Sequence, residues 1–163
     1  MEMNIFQEYA MRFKAPWCIA FSLYLFIVVI LFGGFGVILS CSSANFEAEQ
    51  KLLHIASNLS TFSVALLVPA IISILLSFLQ LYNKVSAILL SILSLLVSGI
   101  LLYFSHCTTG KIALFLAIIN AFLALFYWVI ANYDNELLND ASYAQMITKE
   151  TIKKHGTDWD DKQ

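Results

Sequence analysis

The residues of this chain best suited to metal or redox chemistry are three cysteines, Cys18, Cys41 and Cys107, and three histidines, His54, His106 and His155. Zinc needs four such ligands brought together, and its sequence signature is closely spaced cysteine or histidine pairs. No CxxC is present and the histidines are scattered, so no metal ligand set and no cofactor are expected. Cys18 reads as a small apolar filler. Cys41 and Cys107 are the candidate disulfide pair. Each closes an apolar segment, and the two ends fall on one side of a membrane. A bridge there would close a loop of about 65 residues, worth about 4 kcal/mol on the chain-entropy estimate. Hydrolytic chemistry has no foothold: HExxH, GxSxG and a phosphate-cradling glycine loop are all missing. His106 and Cys107 are neighbours, and on a helix neighbours face different ways. The expectation is therefore a protein that is not an enzyme.

The elements that must carry these residues follow from the distribution of charge. The chain has 163 residues, 60% hydrophobic and 12% charged, with a net charge of −2 and a mean hydropathy of +0.80. An ordinary soluble domain is about a quarter charged. No Asp, Glu, Lys or Arg occurs in 15–46, 52–83, 85–110 or 112–133. A helix rising about 1.5 Å per residue needs about 20 such residues to cross a hydrocarbon core of about 30 Å. The fold class predicted is all-α: a four-helix transmembrane bundle with spans near 15–40, 59–81, 85–104 and 112–131. An interfacial segment, 1–14, precedes it and an acidic tail, 132–163, follows. Trp17, Tyr82, Tyr103, Tyr127, Trp128 and Tyr133 sit at span ends, where the headgroup layer favours such rings. A run of about 25 apolar residues is too long for a signal-peptide core, so the first segment reads as a retained anchor.

An even number of spans puts both termini on one side. Arg12, Lys14 and Lys84 flank that side near the membrane, against Lys51 and Lys111 on the other, which favours cytoplasmic termini. Small residues at spacings of three or four mark candidate packing faces: Ser73 and Ser77 in the second span, Ala87, Ser91, Ser94 and Ser98 in the third. The second and third spans are expected to pack antiparallel on these faces. Pro69 is expected to kink the second, since it cannot donate to the Ala65 carbonyl. Asn120, near the middle of the fourth span, needs a hydrogen bond, between helices or between protomers. Polar stripes on more than one helix point to a homo-oligomer.

Two segments lie outside the spans. Ile5, Phe6, Tyr9, Ala10 and Phe13 fall at helical spacing, an amphipathic helix on the membrane surface. The tail, 134–163, holds seven acidic residues and four lysines. Asp140 caps a predicted helix that Gly156 ends. Ala144, Ile147 and Thr151 give that helix a thin apolar face. Beyond it Trp159 stands among Asp158, Asp160 and Asp161, suited to a partner pocket with a basic rim. The partners expected are thus the lipid bilayer, a second copy of the chain, and a cytosolic protein held through Ile147, Asp158, Trp159, Asp160 and Asp161. Neither nucleic acid nor a small-molecule substrate is indicated.

The four charge-free runs, the short outer loops and the 134–163 tail together resemble the transmembrane subunit of the Kiwa antiphage defence system. That resemblance implies a bacterial inner-membrane oligomer that detects phage attachment and activates a cytosolic DNA-binding partner. Colicin immunity proteins of one type have the same four-span plan, which makes immunity against a pore-forming toxin the alternative. A small channel or transporter is the third reading. It has only Asn120 and the serine stripe to work with, and no ionisable group within the spans.

Overall fold

The computed structural model describes residues 5–42, 47–78 and 84–133, together with Asn135 and Leu138. Among these the regular structure is helical, with no strand. Ile5–Lys14 forms α1. Ile19–Tyr24 (α2), a π-helical segment Leu25–Phe32, and Phe35–Ser42 (α3) follow. Three long helices complete the described fold: Ala48–Phe78 (α4), Lys84–Cys107 (α5) and Gly110–Ala131 (α6). These three are long and apolar enough to cross a membrane, and the segments before them make a fourth crossing if a bent pair is counted as one.

The first apolar run is not one helix. Pro16 breaks the chain after α1, and Phe6–Lys14 meets Ile19–Phe32 at 90°. Within the run the winding widens to i→i+5, with the Gly33 N–H donating to the Val28 carbonyl at 3.0 Å. Gly33 and Gly34 end that segment. A Cβ on Gly33 would run into the Val29 carbonyl and lie 3.0 Å from the Phe62 ring. Phe21, Leu25 and Val29, four apart, are the buried large apolar side chains of this run.

α4 starts well before the predicted span, at Ala48, and continues through Pro69 to Phe78 without interruption. Its main partner is not the next helix but α6. α4 buries Ala56, Ser60, Ser63, Leu67, Ala70, Ile71 and Ile74. α6 answers with Ala113, Ala117, Asn120, Ala121, Ala124 and Ile130. Small residues at every third or fourth position let two backbones approach closely, which is how helices associate in a solvent as apolar as leucine. Many large apolar side chains point the other way: Ile72, Leu76, Leu89, Leu93, Leu96, Ile100, Phe115 and Phe122 are all exposed. A seam rich in small residues with large apolar side chains exposed around it is compatible with an integral membrane protein.

Two expectations about packing are corrected here. Ser73 and Ser77 are exposed, and the Ser77 hydroxyl donates to the Ser73 carbonyl of its own helix at 3.0 Å. Ser73 lies off the buried face set by Leu67, Ala70 and Ile74, about 100° round the helix from Ile74, whereas Ser77 is exposed because it stands in the last turn of α4, beyond Ile74. Tyr127 does not turn outward to the headgroup layer: it is a core residue, 3% exposed, hydrogen-bonded to the Ser94 hydroxyl.

The α5–α6 connection turns on Gly110, whose φ of +55° is the left-handed conformation that side chains disfavour. Gly110→Ala is expected to cost about 1–2 kcal/mol of stability. The measurement is denaturant unfolding of the purified chain in detergent.

Candidate functional site at the termini-bearing end

α1 lies across the end of the bundle where α6 finishes, and its contacts there reach α6 and the residue just beyond it, Tyr133. The face it turns inward mixes charge with aromatic rings. Glu8, Tyr9 and Arg12 are buried and Phe13 is half-buried, whereas Phe6 and Ala10 are exposed. The charges are tolerated because they pair one turn apart. The Arg12 Nη2–H donates to Glu8 Oε1 at 2.7 Å and its Nε–H to the same oxygen at 3.2 Å. The guanidinium carbon then sits 4.4 Å from the centre of the Tyr133 ring, just beyond α6. Arg12 thereby ties α1 to the first residues of the tail.

Aromatic rings extend the junction. Tyr9 meets Tyr127 edge-on at 6.2 Å, and Phe13 meets Phe126 at 5.2 Å. Trp17 packs edge-on against Phe13 and Phe21, with its indole N–H donating to the Phe13 carbonyl at 2.6 Å. Trp128 takes Phe21 on one side and stacks with Tyr24 at 6.1 Å. Such pairs add about 0.5–1.5 kcal/mol each beyond simple burial. Cys18 has more to do than fill space. Its sulfur accepts from the Phe21 N–H at the start of α2, and its thiol donates to the Leu138 carbonyl at 2.9 Å. The chain after α6 is thus held at two points, Tyr133 by Arg12 and Leu138 by Cys18.

Burial, then the neighbouring Tyr127, pushes the Tyr9 phenol up to about 12, against opposing pulls from Ser91 and Arg12. The folded state therefore holds the Tyr9 proton more tightly than the unfolded state, whose phenol titrates near 10. Its contribution to stability is complete below pH 10 and is lost as pH rises through about 12. In Tyr9→Phe the stability–pH curve is expected to be flatter over that window, read from thermal unfolding at stepped pH.

The remaining sequence candidates separate clearly. Ile147, Asp158, Trp159, Asp160 and Asp161 lie outside the described residues. Cys41 and Cys107 are free, exposed thiols in the structure rather than a disulfide. Cys41 rides on α3, which packs on α4, while α5, carrying Cys107, packs on α4 and α6. Ser91, Ser94 and Ser98 are buried, and so is Asn120, at 1% exposure, which removes it from any contact between protomers. At the opposite end of the bundle His54 and His106 share a cleft of about 300 Å³ with Gln50 and Ser105, a meeting their separation in sequence conceals. Among the described residues no group of three His, Cys, Asp or Glu side chains is placed to hold a metal ion.

The alanine face of α6 and the Glu8–Arg12–Tyr133 link went unread in the sequence. The first had a signal, the small residues at 113, 117, 121 and 124. Comparison with protein-family models, curated proteins and solved structures finds no match to this chain.

Proposed function

We propose that this chain is a non-enzymatic, four-span membrane anchor or sensor that recruits and regulates a cytosolic effector through its C-terminal tail. In this reading α2, the π-helical segment and α3 together make the first crossing, both termini are cytoplasmic, and the membrane is the bacterial inner membrane. The architectural resemblance to the Kiwa transmembrane subunit puts the setting in antiphage defence, with the chain as a homo-oligomer. The observation that carries the reading is the double attachment of the tail's first residues, through Arg12–Tyr133 and Cys18–Leu138. The two attachments hold the first residues of the tail against α1 and the start of α2. A tail that reports on the membrane needs such a mechanical link.

The experiment compares the full chain with one truncated after Leu138, which keeps both attachments. Each is expressed in a bacterial host challenged with phage and then captured from detergent extract. The expected result is a stoichiometric soluble protein with the full chain, lost together with protection on truncation. Equal capture or equal protection by both forms overturns the proposal.

One observation favours immunity against a pore-forming toxin as the second reading. A lateral cleft of about 440 Å³ opens between the first crossing and α4, lined by Tyr24, Val28, Gly33, Asn58, Phe62 and Trp128. A foreign helix in the bilayer would meet that cleft and not the tail. Protection of cells from an added pore-forming toxin by the truncated chain would select this reading.

A further inference from the structure

The seam between α4 and α6 changes character along its length. Toward the start of both helices Ala56 packs with Ala113 and Ala117. Toward their ends Leu67, Ala70, Ile71 and Ile74 pack with Ala124, Tyr127 and Ile130. Between these apolar clusters the buried residues turn polar: Ser60 and Ser63 on α4, Asn120 on α6. The helices run parallel, so the two clusters fix the register. Ser63 stands level with Asn120, and Ser60 about one turn nearer the start. α5 runs the other way, with Ser105 on the Ala113 carbonyl and Ser94 on Tyr127, which brings the buried Ser98 to a similar height.

Asn120 is 1% exposed. Neither its Nδ2–H nor its Oδ1 has a hydrogen-bond partner among the described residues, and neither does the Ser60 hydroxyl. A carboxamide offers two donors and an acceptor with two lone pairs, and buried polar groups of this kind are nearly always satisfied. Ser63 already spends its proton on the Leu59 carbonyl at 2.7 Å, which leaves only its oxygen lone pairs for a neighbour. The layer therefore holds unspent donors and acceptors of both kinds, enclosed by apolar residues above and below.

We propose that this layer is a water-binding site: water held between the Asn120 carboxamide and the Ser60 hydroxyl, midway along the α4–α6 seam. The chemistry of the site selects the ligand. Its groups are neutral, and no Asp, Glu, Lys or Arg occurs between Leu52 and Asn83 or between Ile112 and Tyr133, so an ion of either sign would arrive without a counter-charge. The ligand must donate and accept, because the site presents both functions. It must be small, because the neighbours are closely packed alanines. Water meets all three conditions, and buried waters in proteins serve polar groups in this position.

The test is solid-state NMR of the full chain, labelled with 15N and 13C, in phospholipid bilayers. Polarisation is transferred from water protons and read at the Asn120 side-chain nitrogen, assigned by sequential backbone correlations. The expected build-up is as fast as that of the exposed Gln50 carboxamide and faster than that of the Ala124 amide in the apolar cluster below. Build-up as slow as Ala124 would mean a dry seam whose side chains satisfy one another, and would overturn the proposal. In Ser60→Ala the transfer to Asn120 is expected to fall; unchanged transfer would remove Ser60 from the site and overturn the pairing. Should that variant fail to fold, the unmodified chain still decides between wet and dry.

Discussion

Arg12→Met is expected to destabilise the fold by about 3–5 kcal/mol, the cost of leaving one member of a buried ion pair behind. Arg12 is 4% exposed and its guanidinium is committed twice, to Glu8 and to the Tyr133 ring. Removing it strands the Glu8 carboxylate against the bundle with no counter-charge. It also cuts one of the two attachments of the tail. The double variant Glu8→Met with Arg12→Met is expected to recover most of the loss, because replacing a buried pair by apolar side chains of similar volume is often neutral. Denaturant unfolding in detergent checks both values. The double variant also separates structure from function: it restores the fold without restoring the contact to Tyr133. If tail-dependent capture stays absent in that variant, the link itself matters.

Ala117→Leu is the second large effect, a loss of about 1–3 kcal/mol or more from overpacking. Ala117 is fully buried where α6 meets Ala56 of α4, and a leucine there must push the two backbones apart. Leu93→Ala on the exposed side of α5 is the control. A leucine facing lipid gains little from burial in protein, so trimming it is expected to cost well under 1 kcal/mol. The contrast reverses the rule for water-soluble domains, where the large residue is the one that cannot be touched. Unfolding of both variants in mixed micelles supplies the comparison. Equal losses would show that α4 and α6 are not held by close approach.

How much of this was legible in the sequence depended on what each signal could carry. The limits of α5 and α6 were readable to within a few residues, because Lys84 and Lys111 mark where apolar surroundings stop. α1 was readable as a helix, but its inward face was not. Periodicity assigns Phe6 and Ala10 to one side, and nothing local shows that Glu8 and Arg12 will cancel each other and turn inward. The packing partners were harder still. Ser73, Ser77, Ser91 and Ser94 drew the eye as polar residues in apolar runs. The alanines of α6 did the larger share of the packing while looking like ordinary apolar filler. Alanine spacing marks a helix face as well as serine spacing does, but it contrasts less with leucine. The break in the first run was foreshadowed by Pro16, Gly33 and Gly34, yet a charge count alone sees one continuous span.

The pairing of α4 with α6 also sets an order of events during synthesis. A helix whose chief partner is its neighbour in the chain can find it as soon as both have been made. α4 cannot, because most of what packs on it, including the Ala113 and Ala117 that cover Ala56, lies beyond the whole of α5. Until the chain has been translated to about Ala131, Ser60 and Ser63 face either lipid or the insertion machinery. The intermediate with only α4 and α5 released carries Ser60 and Ser63 without α6 against them. Ribosome stalling within α6 would therefore leave a species for membrane quality control to recognise, whereas stalling after α6 would leave one already closed.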